Sequence, residues 1–404
     1  MKTHERIDGM PNGVSRRSFV KSVGLGASAA AIMSYDGPRA WARAMSLALP
    51  EQERPLLLHN NENPLGPGTR VIAAMNDALE GGPRAGRYPR GAIGELVEAI
   101  ARMNNIPADY VMVGNGSTQL LRSATHVFTS PTKHLVTASP SYEEVRDYAT
   151  LNGHPVEALP LKDMSLDLTA MADAARGAGL VFVNNPNNPT ATLHSGDSIG
   201  ALIDRILSET DAMIMVDEAY HDYVTDPRHE TQIPRAVKEE RVIVARTFSK
   251  AHGMAGMRIG WVVAHPDAIA RMRRWHYGLS LNIPSLLGAR TSIMNPDRIA
   301  HEAERNTAAR QFTLDWFASR GIATTDSQAN FIFARTGMPA GDFRAANEQR
   351  GILVGRDFPP YEREWSRISI STMDDMRRAV DVFGSVLPVA TEQSNGRRSD
   401  AAAA

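Results

Sequence analysis

A lysine that could form a Schiff base stands in a loop rich in hydroxyls and glycine. The run Thr247-Phe248-Ser249-Lys250-Ala251-His252-Gly253-Met254-Ala255-Gly256-Met257-Arg258 follows the apolar stretch Val242–Arg246. It supplies hydroxyls at Thr247 and Ser249, an amine at Lys250 and a guanidinium at Arg258. Two hydroxyls and an arginine make a phosphate cradle, and the amine beside them is a nucleophile for a carbonyl. Most lysines are solvated surface residues. This one follows a core strand and lies in a glycine-bearing loop, which argues for a different role.

Three other segments place polar groups at the ends of apolar runs. Gly114-Asn115-Gly116-Ser117-Thr118 joins a strand to a helix, so the amides of Ser117 and Thr118 open the helix and form an anion site; a plain structural turn is the alternative. Asn184-Asn185-Pro186-Asn187-Asn188-Pro189-Thr190 ends the Leu180–Asn184 run in a stiff loop that presents side-chain amides. Asp217-Glu218-Ala219-Tyr220 ends the Met213–Asp217 run. An aspartate at the tip of an apolar strand is costly unless it meets a cation or caps a helix.

A phosphate cradle, a Schiff-base lysine, a carboxylate for a ring nitrogen and an Asn/Tyr pair for a ring hydroxyl together describe pyridoxal 5′-phosphate. The string Thr247–Trp261 also resembles the lysine segment of class I/II aminotransferases of pyridoxal-phosphate fold type I, and most of all the histidinol-phosphate aminotransferase branch. That branch also shows Asn61-Glu62-Asn63-Pro64, Arg87-Tyr88-Pro89, the Gly-Asn-Gly-Ser, an Asn-Asn-Pro-Thr and the Asp-Glu-Ala-Tyr, all present in order over about Pro55–Val386.

The resemblance implies a role for each matching residue. Lys250 would hold the cofactor as a Schiff base and shuttle the proton between Cα and the cofactor. Asp217 would keep the pyridine nitrogen protonated, and Asn188 and Tyr220 would hydrogen-bond the ring oxygen. Tyr142 would stack on the ring, while Ser117, Thr118, Thr247, Ser249 and Arg258 would bind phosphate. Tyr88 would reach the phosphate of a neighbouring subunit, which makes the active unit a homodimer. Arg367 would take the substrate α-carboxylate in a forked geometry, with Asn330 supporting it, and Asn63 and Arg356 would also face substrate. The implied activity is transfer of an amino group between an L-amino acid, or a histidinol-phosphate-like amine, and a 2-oxo acid. Another pyridoxal-phosphate reaction (decarboxylation, cyclisation or oxidation) and a non-catalytic cofactor-binding module are the alternatives on the same fold.

The sequence departs from the family pattern at several places. Ala191 stands where a Gly is expected after Asn-Pro-Thr, Arg90 where an acid is common, Thr118-Gln119 where Asp-Glu is frequent and Val145 where a second Tyr is common. An Arg normally follows the G-I-x-V strand directly; here Gly355 fills that place and Arg356 comes next. These changes bear on the distal substrate group rather than on the cofactor. His301-Glu302-Ala303-Glu304-Arg305 lacks the second His of a zinc motif and reads as a solvated helix face. Gly24-Leu25-Gly26-Ala27-Ser28-Ala29 fits a dinucleotide fingerprint by chance, with no preceding strand. Met254 and Met257 read as packing.

The elements that must position these residues alternate. Apolar runs at Tyr110–Val113, His134–Ser139, Leu180–Asn184, Met213–Asp217, Val242–Arg246 and Ile259–Ala264 are separated by amphipathic segments such as Ser117–Phe128, Tyr142–Leu151, Ser198–Ser208 and Pro266–Tyr277. That alternation predicts an α/β fold, a mostly parallel sheet sandwiched by helices. From about Ser285 a long charged helix near Asp297–Arg320 and short strands at Asn330–Arg335, Ile352–Gly355 and Arg367–Ser371 predict a smaller α+β domain. The expected division is 1–44 signal, 45–84 N-terminal segment joining the small domain, 85–284 large cofactor-binding domain, 285–390 small domain and 391–404 disordered tail.

The 404 residues carry 44 Lys plus Arg against 45 Asp plus Glu, so no large uniform field exists to hold nucleic acid. Cysteine is absent, which removes disulfides, thiolate nucleophiles and Cys-based metal sites. Ser15-Arg16-Arg17-Ser18-Phe19-Val20-Lys21 matches the twin-arginine export signature, followed by a small, apolar run and a small-x-small site at Ala40-Trp41-Ala42 or Ala42-Arg43-Ala44. The expectation is a folded protein passed through the twin-arginine translocase to the periplasm or beyond.

Overall fold

The computed structural model describes residues 54–81, 85–276 and 278–387. The export motif, the Gly24–Ala29 fingerprint and the tail lie outside them. By contacts the chain divides into Met1–Leu56 and Leu57–Ala404; the central sheet, its helices and the residues of the candidate site belong to the second unit. Among the described residues no helix is long and apolar enough to cross a membrane.

Eleven strands are described: β1 (Leu56–Leu58), β2 (Val111–Asn115), β3 (Leu135–Ser139), β4 (Val156–Pro160), β5 (Leu180–Asn184), β6 (Met213–Asp217), β7 (Val242–Thr247), β8 (Ile259–Ala264), β9 (Phe331–Arg335), β10 (Ile352–Val354) and β11 (Trp365–Ser369). Seven of them form one sheet in the order β2-β8-β7-β6-β5-β3-β4. β8 runs antiparallel to both neighbours, and β3 to β7 run parallel. The expected mostly parallel sheet is present.

β5 and β6 are buried at every residue, as strands covered on both faces must be. Alternate residues feed two cores. Val181, Val183, Ile214 and Val216 join one cluster, and Leu180, Phe182, Met213 and Met215 join the other. Helices Gly116–Phe128 and Pro266–Arg273 cover one face, where Leu120, Leu121, Ile269 and Met272 complete the packing. Ile199, Leu202, Ile203 and Ile206 of the Gly196–Glu209 helix cover the other.

β4 was not legible as a strand, because its residues are half-buried or exposed and carry no apolar run. The first expected strand begins one residue later and extends to Asn115. The Pro266–Tyr277 segment stops being helical at Arg273.

Past the sheet, β9 and β11 pair antiparallel with Arg367 opposite Phe333, flanked by helices Pro296–Ala318, Ala340–Glu348 and Met373–Val386. This is the α+β portion expected after Ser285. One expectation is corrected here. Glu302 is not on a solvated face: it is buried, accepts a hydrogen bond from the Tyr223 hydroxyl at 3.0 Å and pairs with Arg305 at 2.8 Å. Met254 is buried in the core, as expected of a packing residue.

Candidate active site

Parallel strands bring their C-terminal ends to one edge of the sheet, where ligands bind in open α/β folds. Asn184 of β5 pairs in register with Asp217 of β6, which pairs with Ala245 of β7. Thr247, the last residue of β7, lies opposite Gly260 of β8. β8 in turn touches the start of the Gly116–Phe128 helix, since a Cβ at Gly260 would stand 2.2 Å from the Ser117 nitrogen. The motifs at Asn115–Thr118, Asn184–Thr190, Asp217–Tyr220 and Thr247–Arg258 thus meet along one rim.

Lys250 Nζ donates to the Asn60 carbonyl at 3.2 Å and lies 5.6 Å from the centre of the Tyr220 ring. Burial, then the charges of Arg367 and Arg258, lower its pKa to about 8 against the opposing pull of Glu62 and Asp217. A neutral amine is therefore accessible near neutral pH. Asp217 is buried, and burial raises its pKa to about 7. Its Oδ2 accepts weakly from the Asn184 amide at 3.4 Å, whereas its Oδ1 is buried without a hydrogen-bond partner. An orphaned buried carboxylate oxygen calls for a donor.

The residues expected to grip phosphate converge. Arg258, at φ 56° in the left-handed region, donates to the Ala255 carbonyl at 2.8 Å. Thr247 and Ser249 share a hydroxyl hydrogen bond of 2.9 Å, and the Ser249 amide donates to Thr247 at 3.1 Å. Thr118 is 3.3 Å from the hydroxyl of Tyr142, whose pKa burial raises to about 12.

Tyr220 packs edge-on to Phe331 at 5.0 Å, in a small apolar cluster with Ala191 and Ala329. Burial raises its pKa above the ordinary phenol value, and the Asn61 amide donates to its hydroxyl at 3.2 Å. Arg367 is buried; it donates to Asn188 Oδ1 at 2.7 Å and to the His59 carbonyl. Asn188 Nδ2 makes no hydrogen bond among the described residues.

Some expected residues serve other contacts. Asn330 donates to the Asn61 carbonyl at 2.9 Å, and its Oδ1, the atom that could accept from Arg367, is buried without a hydrogen-bond partner. Asn63 is held by the Leu65 amide and donates to the Ala251 carbonyl at 3.0 Å, beside Lys250. Arg356 pairs with Glu143. Tyr88 lies outside the gathered site and is 77% exposed.

Sequence reasoning gave no role to Asn61 and Ser369. The Asn61 amide donates to Ser369 Oγ at 2.8 Å, and Ser369 Oγ donates to Asn61 Oδ1 at 2.9 Å. Asn61 opens the Asn-Glu-Asn-Pro motif and Ser369 lies in the strand expected at Arg367–Ser371, but nothing local links the two. Ala191, where a glycine was expected, has φ 59° and so bears the strain that glycine would avoid.

The donor set fits pyridoxal 5′-phosphate: a cation and hydroxyls for phosphate, an amine of lowered pKa, and an unsatisfied buried carboxylate oxygen for a ring N–H. The profile of the class I and II aminotransferases matches residues 53–383. A histidinol-phosphate aminotransferase of Symbiobacterium thermophilum is 32% identical over 82% of this chain and 90% of its own length. An aromatic amino acid aminotransferase of Thermobifida fusca is also 32% identical, over 79% of this chain and 86% of its own. A solved histidinol-phosphate aminotransferase of Sinorhizobium meliloti, in complex with pyridoxal-5′-phosphate, superposes with a TM-score of 0.77 at 23% identity, covering 93% of this chain and 99% of that one. The chain belongs to the class I and II aminotransferases, the pyridoxal-phosphate-dependent transaminases.

Proposed function

We propose that Lys250, Asp217, Tyr220, Asn188 and Arg367 carry out transamination between an L-amino acid and a 2-oxo acid. The observation that carries this assignment is the pairing of an amine of lowered pKa at Lys250 with the orphaned Oδ1 of Asp217 along one rim. Pyridoxal phosphate, when bound, supplies an electron sink for charge developing at the substrate Cα.

The chain's own residues do the rest. Lys250 would hold the cofactor through Nζ and, as a neutral amine, would move the substrate Cα proton. Asp217 would hold a proton on the ring nitrogen, which would give its orphaned Oδ1 a donor. Tyr220 and Nδ2 of Asn188 would orient the ring oxygen. Thr118, Ser117, Thr247, Ser249 and Arg258 would hold phosphate with charge-assisted hydrogen bonds, and Tyr142 would face the ring. Arg367, aimed by Asn188 and the His59 carbonyl, binds the α-carboxylate by its fork. The Ala191, Tyr220, Ala329 and Phe331 cluster keeps water from one side of the site.

The reading includes a homodimer and export. Ile72 and Leu79 lie seven residues apart, on one face of the Thr69–Glu80 helix, and both are exposed. Leu65 and Met103 are exposed large apolar residues as well. A second copy that covers such a patch would also bring its Tyr88 toward a phosphate. The Ser15–Lys21 motif supports export through the twin-arginine translocase to the periplasm or beyond.

Purified protein given a panel of L-amino acids with 2-oxoglutarate should form glutamate. Carbon dioxide or peroxide without glutamate would replace transamination by another reaction of the same cofactor.

A further inference from the structure

The two relatives that share 32% identity with this chain differ by name in the charge at the far end of their substrates, a phosphate in one and an aromatic ring in the other. The arginine best placed to decide between them is Arg356. Its guanidinium lies 4.2 Å from the centre of the Phe358 ring, and that of Arg367 lies 4.9 Å from the same ring. Arg356 is therefore one aromatic ring away from the group that takes the α-carboxylate.

Arg356 owes its position to Gly355. The Gly355 amide donates to the Arg367 carbonyl at 2.9 Å, and a Cβ at 355 would stand 2.6 Å from that oxygen. No larger side chain fits there, so the arginine falls one residue later. There it donates to the Asp357 carbonyl at 3.0 Å and forms an ion pair with Glu143. Glu143 directly follows Tyr142, which would stack on the ring of a bound cofactor. Arg146 is 3.5 Å from the other oxygen of Glu143 and 3.0 Å from Asp147. The charge of Glu62 reaches into the same site, where it acts on Lys250 and His59. Arg356 and Arg146 thus share Glu143, and Arg146 also pairs with Asp147.

Resting on the transaminase reading, we propose that Glu143 is a specificity-determining residue. By pairing with Arg356 it withdraws the cation that an anionic substrate terminus needs, so the enzyme takes amino acids with uncharged side chains and discriminates against a distal phosphate. A cation whose charge a carboxylate already matches attracts a second anion less strongly.

The test compares kcat/KM of the holoenzyme for L-phenylalanine and L-histidinol phosphate, with 2-oxoglutarate as acceptor and glutamate as readout. Wild type should favour phenylalanine. Glu143→Gln should shift the ratio toward histidinol phosphate by about tenfold or more, and Glu143→Gln with Arg356→Gln should cancel the shift. Arg356→Gln alone, which leaves Glu143 with Arg146 as its one remaining cation partner among the described residues, should move the ratio the opposite way, so the proposal remains testable if one variant folds badly. A wild-type preference for histidinol phosphate, an unmoved ratio in Glu143→Gln, or a shift that survives in the double variant overturns the proposal while glutamate formation still stands. Absence of glutamate from every donor overturns the transaminase reading itself, and this proposal with it.

Discussion

The guanidinium of Arg258 lies against the bare backbone of Gly116: a Cβ at Gly116 would stand 2.3 Å from Nη2 and 3.0 Å from Cζ. Gly116 also has φ +69°, in the left-handed region that favours glycine. The first residue of the Gly116–Phe128 helix is therefore small so that a cation can sit where an anion will bind. Gly116→Ala should push Arg258 out of the cradle and weaken pyridoxal-phosphate affinity about tenfold, or ~1.4 kcal/mol. Titration of the apoprotein measures this, with the thermal midpoint as a check on folding. Unchanged affinity would remove Arg258 from the phosphate site.

Lys250 links the electrostatics of the site to its chemistry. Only the neutral amine attacks an aldehyde, and burial with Arg367 and Arg258 brings the lysine pKa down to about 8. The rate at which apoprotein captures cofactor should rise with pH and level off above about 8, well short of an ordinary lysine. Arg367→Gln removes one of the lowering charges and should move that midpoint upward. Stopped-flow absorbance over a pH series gives the midpoint. Lys250→Ala should lose the yellow band and borohydride labelling, and persistence of either would refute its role.

The strand-end motifs were legible because each is local. Asn188, Asp217, Tyr220 and Lys250 all follow apolar runs that could be read as buried strands, and parallel topology carries their ends to one rim. The long-range pairings were not legible. Asn61 and Ser369, which bond each other, are separated by 308 positions, and no periodicity links them. Nor does local sequence show that β8 inserts antiparallel between β2 and β7, or that Glu143 meets Arg356. Glu302 was misread because charge in a helix usually means solvent, whereas Tyr223 and Arg305 satisfy this carboxylate inside the protein.

Glu218, next to Asp217, faces away from the chemistry and holds the rim together. Its side chain is 1% exposed and that of Arg246 12%, with the two 2.8 Å apart. The Thr231 hydroxyl donates to the same carboxylate at 2.7 Å, as does the Gln232 amide. Burial pushes the Glu218 pKa up, but Arg246, His221 and these donors outweigh it and leave it below the usual glutamate value. Glu218→Gln strands a buried guanidinium and should cost about 3–5 kcal/mol by denaturant unfolding near neutral pH. Because the folded pKa is depressed, the wild-type advantage is complete above the ordinary glutamate pKa. It should shrink as pH falls through the lowered folded value. A pH-independent difference would assign the loss to packing instead.

Export is the prediction in which cofactor and sequence constrain each other. A chain threaded unfolded through a membrane would have to acquire pyridoxal phosphate outside, whereas the twin-arginine route passes proteins already folded around it. The rim built from Asn61, Asp217, Lys250 and Ser369 joins positions more than 300 residues apart, as the 308-position Asn61–Ser369 bond shows, so it forms only once the chain has folded. Replacing Arg16 and Arg17 by Lys should therefore retain a folded, yellow, active enzyme in the cytoplasm of a bacterium with the translocase. Fractionation with activity and absorbance readings in each compartment measures it. If the doubly substituted chain still reaches the periplasm, or the wild-type chain remains active in the cytoplasm of a competent host, the Ser15–Lys21 motif is not an export signal.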